Sequence, residues 1–89
     1  MLVDVPAKVR NGTAVVSILG LGRVGLPLAI VLARSGIKVI GVDIDKERLS
    51  MIRKGEMPFH YPALQDWLET VVRDRLLQVS DSAKDAIQE

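Results

Sequence analysis

The segment best suited to chemistry is a turn built on three spaced glycines, Gly20, Gly22 and Gly25. A phosphate approaches a backbone closely only where side chains are missing, and a helix N-terminus offers free N–H donors with a partial positive charge. Between a strand and a helix, the first glycine makes the tight turn, the second lets a pyrophosphate touch the backbone, and the third lets the helix pack on the strand. Because glycines at such junctions often serve only a tight turn, the flanking elements must show whether this turn binds a phosphate.

The flanking sequence predicts the strand and the helix that anion binding needs. Residues 14–19 form a nearly continuous apolar run, typical of a parallel strand covered on both faces. After the turn the apolar period becomes helical, and it predicts a buried face made of Leu28, Val31 and Leu32. Gly36 stands where a residue ending that helix belongs. The glycine turn therefore has the context of a dinucleotide-binding motif.

An acidic residue ends the second predicted strand, which covers residues 38–43. Asp43 follows Gly25 by 18 residues, close to the roughly 20 expected for a carboxylate that accepts hydrogen bonds from an adenosine ribose. Because an anion there repels a 2′-phosphate, the sequence predicts NAD rather than NADP. Alternatively, Asp43 is an ordinary strand-end cap. Arg48 lies beside the adenine and ribose in the first interpretation and is a solvated helix charge in the second.

Other polar residues give weaker signals. Arg23, inside the turn, either reaches a phosphate or points to solvent from the first helical turn. His60 is the single histidine, and a histidine without partners is far more often a surface residue than a catalyst or ligand. No metal cluster, nucleophile with its base or pair of catalytic carboxylates is recognisable. The sequence therefore predicts neither a catalytic nor a metal-binding residue.

The chain after Asp43 is predicted to form two helices and a third strand. Asp45 is placed to cap a short helix that carries Leu49 and Ile52 and ends at Gly55. After a loop over residues 56–62, a strongly amphipathic helix follows the 3.6-residue period. Its predicted apolar face, broken only by Arg75, consists of Leu64, Trp67, Leu68, Val71, Val72 and Leu76.

The third strand is predicted over residues 77–79, followed by a capping-box spacing between Ser82 and Asp85. This order of elements is typical of an open parallel sheet with right-handed crossovers. We therefore predict an α/β fold, a partial Rossmann (doubly wound) domain with three parallel strands and helices on both faces. Residues 1–12 are predicted as an N-terminal arm and 13–89 as the N-terminal part of the domain. The arm is alternatively a hairpin strand, which Pro6 would confine to an edge.

The composition excludes several classes of protein. Twelve Lys and Arg against eleven Asp and Glu give a net charge of +1, without the basic footprint of a nucleic-acid or membrane-surface binder. The absence of cysteine excludes disulfides, thiolate metal sites and thiol nucleophiles within these 89 residues. The apolar runs are shorter than the roughly 20 residues of a membrane span. Without a secretory signal, a cytoplasmic location is expected.

Three segments resemble the N-terminal domain of the UDP-glucose/GDP-mannose dehydrogenase family, nearest to its UDP-N-acetyl-D-mannosamine dehydrogenase branch. The resemblance runs from about residue 13 to the end of the chain. Its most specific parts are the extension of the glycine turn through Leu26, Pro27, Leu28 and Ala29 and the strand that ends at Asp43. The third segment comprises Gly55, Glu56, Pro62, Ala63 and Leu64.

The resemblance implies that NAD is the cofactor. It places the pyrophosphate on the turn, especially on the backbone of Arg23 and Val24, and the adenosine end on Asp43 and Arg48. The implied cofactor-binding residues are Gly20, Leu21, Gly22, Arg23, Val24, Gly25, Asp43 and Arg48.

The same resemblance implies oxidation of a sugar C6 alcohol to a carboxylate in two NAD-dependent steps, with a catalytic cysteine as covalent relay. A UDP-sugar is then a substrate only of a longer parent chain. These 89 residues hold neither that cysteine nor the family's later segments, so we expect no turnover from them alone. A fragment of a dehydrogenase is the simplest interpretation.

The sequence departs from the family at two places. Arg23 stands where the family usually has an aromatic residue, which changes the expected pyrophosphate contacts but not the fold. Tyr61 stands where Glu-Pro is usual, which leaves the substrate-side loop unassigned.

Two other functions remain open on the sequence. One is a non-catalytic NAD or nucleotide sensor, although sensors of potassium transport connect the second and third strands through one short helix rather than about thirty residues. The other is an interaction module, because a partial sheet leaves its first parallel strand at an edge, and exposed edges recruit partners. A homo-oligomer is expected, either through that exposed edge or through the missing remainder of the parent chain.

Overall fold

The computed structural model of the chain describes residues 2–4 and 15–82, and for residues 2–4 the backbone alone. Three parallel strands and three helices follow a short first strand. The elements are β1 (Leu2–Asp4), β2 (Val15–Leu19), α1 (Gly25–Arg34), β3 (Lys38–Val42), α2 (Lys46–Arg53), α3 (Pro62–Arg73) and β4 (Leu77–Ser80). The sheet order is β1-β2-β3-β4, with β2, β3 and β4 parallel. The predicted α/β architecture with three parallel strands is confirmed.

The first strand was not predicted as part of the sheet, except as the hairpin alternative. Leu2, Val3 and Asp4 pair antiparallel with Leu19, Ile18 and Ser17. The hypothesis of a free edge on the first parallel strand is therefore wrong at residues 17–19. Residues 5–14, where the rest of the predicted arm and its turn lie, are outside the described residues, as is Asp85 of the predicted capping box.

The described helices pack on one face of the sheet. In the strand register, Val16, Val39 and Leu77 lie side by side on one face, and they share a single buried cluster with residues of α1, α2 and α3. The expected placement of helices on both faces is not found among the described residues. The reason is topological, because right-handed crossovers that advance in one direction along a sheet leave every helix on the same side.

The buried face of α1 differs from the predicted one. Val31 is 49% exposed, and Leu28 and Leu32 only pack against the core from its margin. The fully buried side chains of α1 follow the same helical spacing but lie on a neighbouring face of the helix. They are Leu26, Ala29, Ile30 and Ala33. Apolar residues occupy nearly every position of α1, so the period identifies a helix without selecting its face.

The long helix α3 has the predicted face but a different end. Leu64, Leu68 and Val71 are buried, which confirms the amphipathic period. The helix ends at Arg73 rather than continuing through Leu76. Arg75 has a φ of 60°, the left-handed conformation that commonly ends a helix, and it turns the chain into β4.

Candidate functional site

The glycine turn lies between the carboxyl end of β2 and the start of α1. Gly20 has a φ of 100°, a conformation that favours glycine, and its amide donates to the carbonyl of Val42 at 2.8 Å. A Cβ at Gly25 would overlap the carbonyl oxygen of Gly20, so α1 approaches the turn closely only without a side chain there. A Cβ at Gly22 would meet nothing within 4 Å, because this glycine faces open space.

The backbone amides of the turn are the main hydrogen-bond donors of the site. Leu26 donates to the carbonyl of Gly22, and Leu28 donates to that of Val24. Among the residues that the structure describes, no acceptor is assigned to the four consecutive amides of residues 22–25. Unpaired N–H groups at a helix N-terminus attract an anion, so the turn has the donors that a pyrophosphate requires.

Leu21 anchors the turn to the neighbouring strand. Its side chain is fully buried in the space that Gly41 of β3 leaves open, where a Cβ would collide with the leucine. Its amide donates to Oδ2 of Asp43 at 2.8 Å. The turn and the end of β3 are thus one connected unit.

Asp43 is the centre of that connection. Oδ2 accepts from the Leu21 amide and from Nη1 of Arg48, the latter at 2.9 Å, while Oδ1 accepts from the Asp45 amide at 2.9 Å. The side chain is 8% exposed. Asp43 therefore makes the contacts of the alternative interpretation, a strand-end cap, and the predicted contact with a ribose stays a prediction.

The environment of Asp43 favours the charged carboxylate. Partial burial raises the pKa, but hydrogen bonds from the amides of Asp45 and Leu21 and from Arg48, together with the charge of Arg48, outweigh burial and hold the pKa of Asp43 below its ordinary value of 3.8. The site therefore presents an anion beside the unpaired amides at neutral pH.

Asp45 and Arg48 set the start of α2. The Asp45 side chain caps the helix by accepting from the Arg48 amide at 3.1 Å, as the sequence predicts. The Arg48 guanidinium lies between the carboxylates of Asp43 and Asp45, at 2.9 Å and 3.9 Å. Arg48 is thus held at the end of β3 rather than free in solvent.

Arg23 and the loop between α2 and α3 approach each other at the same end of the sheet. The guanidinium carbon of Arg23 lies 5.3 Å from the ring centroid of Phe59, within the range of a cation–π contact. Sequence reasoning missed Phe59, because the loop has no period and no spacing that relates it to residue 23. His60 and Tyr61 line an open groove of about 630 Å³ beyond Phe59.

The predicted residues thus fall into two connected groups. Leu21, Asp43 and Arg48 form one hydrogen-bonded unit, and Arg23 pairs with Phe59. The four unpaired amides of residues 22–25 include that of Arg23 and directly follow Leu21 in the chain. Among the described helices, none is long and apolar enough to cross a membrane.

The sequence of the chain is similar to those of a family of known dehydrogenases. Residues 14–89 match the UDP-glucose/GDP-mannose dehydrogenase family, NAD binding domain. UDP-N-acetyl-D-mannosamine dehydrogenase of Methanococcus maripaludis is 35% identical over 71 residues, and that of Escherichia coli is 36% identical over 73 residues. These alignments cover 80% and 82% of this chain and 17% of each relative, so the chain spans about 17% of their length.

Solved structures of the same group have a similar fold. GDP-mannose dehydrogenase from Pseudomonas aeruginosa superposes with a TM-score of 0.77 at 33% identity, covering 82% of this chain and 16% of that one. UDP-N-acetyl-mannosamine dehydrogenase from Staphylococcus aureus gives 0.72 at 35% identity, covering 74% and 16%. None of these matches supports the regulatory-sensor alternative. The chain belongs to the UDP-glucose/GDP-mannose dehydrogenase family, within its NAD-binding domain.

Proposed function

We propose that these residues form the pyrophosphate and adenosine half of the NAD site of a nucleotide-sugar 6-dehydrogenase. The observation that carries the proposal is the row of unpaired amides at residues 22–25, joined through Leu21 to the carboxylate of Asp43. A dinucleotide has an anionic centre and a ribose diol at one side of it, so a donor row beside a carboxylate is the complementary arrangement.

The turn is assigned to the pyrophosphate. The amides of Arg23 and Val24 are the proposed donors, Gly22 gives the phosphate its closest approach, and Gly25 brings the start of α1 against Gly20. The partial positive charge of the α1 N-terminus adds to this attraction.

Asp43 is assigned to the adenosine ribose. A carboxylate has about four acceptor positions, and three hydrogen bonds from the described residues occupy part of them. Oδ1, which accepts from the Asp45 amide alone, is the oxygen proposed to receive a ribose hydroxyl. Arg48, held on Oδ2, is placed to flank the adenine and ribose.

The sugar chemistry is proposed for a longer protein. Bound NAD supplies a hydride acceptor, and the family's oxidation of a C6 alcohol to a carboxylate would proceed through a cysteine, a residue type absent from these 89. Relatives named UDP-N-acetyl-D-mannosamine dehydrogenase favour that UDP-sugar as substrate. A cytoplasmic location and a homo-oligomer stay predictions.

The test is a methyl group added at the proposed phosphate contact. Gly22 has open space around it and a φ outside the left-handed region, so Gly22→Ala should leave the free energy of unfolding nearly unchanged. If a pyrophosphate lies against this backbone, the methyl overpacks the contact by ~1–3 kcal/mol, and NAD affinity should fall by about five- to 150-fold. NMR titration of the ¹⁵N-labelled chain measures even weak affinities.

Gly36→Ala is the matched control at the other end of α1. Its φ of 99° makes alanine strained, so this variant should lose about 1 kcal/mol of stability and retain its NAD affinity. An unchanged affinity in Gly22→Ala, or equal binding of NAD and NADP by the parent chain, would contradict the proposal.

A further inference from the structure

The side chain of Arg23 has no role in the assignment above, which uses only its amide. This arginine stands inside the glycine turn, two residues before the start of α1, and its side chain is exposed. Among the described residues, no carboxylate lies within ion-pair distance of its guanidinium, whereas Arg48 is engaged by Asp43. The Arg23 charge is therefore available to an external anion beside the four unpaired amides.

Phe59 gives that guanidinium a fixed platform. The ring is half-buried and packs against the core, so it does not move freely with its loop. The loop itself is tied to α3, because the Gln65 side chain accepts from the Met57 amide at 3.1 Å and donates to the carbonyl of Gly55 at 2.5 Å. The cation–π contact with Arg23 is thus made to an anchored aromatic ring.

A guanidinium at this position suits a phosphate. It presents five N–H donors in a rigid fork that matches phosphate oxygens in a bidentate manner. An arginine already restricted by a ring loses less rotamer entropy when it binds. The contact with Phe59 therefore lowers the cost of holding the charge near the turn.

We propose that the Arg23 guanidinium is a side-chain ligand of the dinucleotide pyrophosphate and that Phe59 is its positioning residue. The inference rests on the proposed function, since it needs the pyrophosphate to lie on the turn. It adds a charged contact to a site otherwise made of backbone donors.

The chain provides a matched control on the same helix. Arg34, in the last turn of α1, stacks on Trp67 with its guanidinium carbon 3.7 Å from the ring centroid. It is the same type of pair, but it lies at the helix C-terminus, where carbonyls rather than amides are unpaired. An arginine–aromatic pair there has no anion site beside it.

The experiment measures the binding of NAD, ADP and adenosine to the full chain by ¹⁵N NMR titration. Arg23→Gln should weaken NAD and ADP by about three- to tenfold, the loss of an exposed charge-assisted contact, and leave adenosine unchanged. Arg34→Gln should change none of the three affinities. Arg23→Lys, which keeps the charge, should recover part of the affinity for NAD and ADP.

A double-mutant cycle tests the positioning role. Phe59→Leu keeps an apolar side chain and should weaken NAD by about two- to threefold, the size of an exposed cation–π contact. The same substitution in the Arg23→Gln background should have no further effect on NAD affinity. An equal loss in both backgrounds would show that Phe59 acts on the fold rather than through Arg23.

The outcomes separate the two proposals. If the parent chain binds NAD and Gly22→Ala weakens it while Arg23→Gln does not, the proposed function stands and the Arg23 inference is overturned. The inference is also overturned if Arg23→Gln weakens adenosine as much as NAD. If the parent chain shows no NAD-dependent shifts, both proposals fail together.

Discussion

The two ends of the parallel sheet both contain tight turns between strands and helices, but only the carboxyl end has the features of a binding site. At the carboxyl end, the glycine turn, Asp43 and Arg48 connect three segments through side chains and leave amides unpaired. At the amino end, Gly36 and Arg75 adopt left-handed conformations that end α1 and α3 and lead into β3 and β4. Left-handed residues alone therefore do not mark a site.

The difference follows from the direction of the strands. In a parallel sheet each strand delivers its chain to the carboxyl edge, where the following helix begins with unpaired donors and a partial positive charge. Helix ends with unpaired carbonyls gather at the opposite edge. A binding site for an anion is consequently expected at the carboxyl end only. The unpaired amides of residues 22–25 and the hydrogen bonds of Asp43 lie at that end.

The largest expected effect comes from closing the space between Gly20 and Gly25. Gly25→Ala places a Cβ on the carbonyl oxygen of Gly20, so α1 must move away from the turn. We expect a loss of about 3 kcal/mol in the free energy of unfolding, measured by urea denaturation, together with loss of NAD binding. A variant with parental stability would show that the close approach of helix and turn is not required.

The second-largest effect is expected at Asp43, whose carboxylate connects the glycine turn with the end of β3 and the start of α2. In the parent chain the amides of Leu21 and Asp45 donate to different oxygens of the Asp43 carboxylate. Asp43→Asn leaves one acceptor oxygen for these two amides, so it should lower the free energy of unfolding by about 2 kcal/mol at neutral pH. Because the pKa of Asp43 is lowered from 3.8 in the folded chain, its stabilisation is complete above that value and is lost as pH falls through the lowered pKa.

The pH dependence of the variant checks this sign. Urea midpoints measured from neutral pH down to about pH 2 should show the difference between parent and Asp43→Asn shrinking on acidification. Asp66→Asn, an exposed position on α3, is the control and should follow the parent within about 0.5 kcal/mol. A difference that stays constant with pH would refute the role of the charge.

The smallest effect is expected at the amino end and has the opposite sign. Arg75 is an exposed residue with a φ of 60°, so Arg75→Gly should stabilise the chain by about 0.5–1 kcal/mol and leave NAD affinity unchanged. Thermal and urea unfolding measure the gain. Weaker NAD binding in this variant would contradict the separation of the two ends.

Features with a local cause were predictable from the sequence. The strand before the turn, the cap at Asp45 and the left-handed Gly36 each depend on a few neighbouring residues, and all three are confirmed. The strand-end position of Asp43 was predictable for the same reason.

Features that depend on tertiary contacts were not predictable. The buried face of α1 depends on the close approach of Gly25 to Gly20 and on contacts with the sheet, and the apolar period of the sequence contains neither. The pairing of Arg23 with Phe59 joins residues 36 positions apart through a loop without a pattern. The antiparallel pairing of β1 is set by backbone hydrogen bonds, for which three residues give too little signal.

The order of the sheet also bears on how the chain reaches its fold. Every described strand pairs with the strand next to it in sequence, so each addition closes a loop of modest length. Loop-closure entropy grows with the length of the loop, and topologies rich in near-sequence contacts fold faster than those with distant pairings. Since synthesis proceeds from the N-terminus, the turn and the Asp43 contact can assemble before α3 and β4 have left the ribosome.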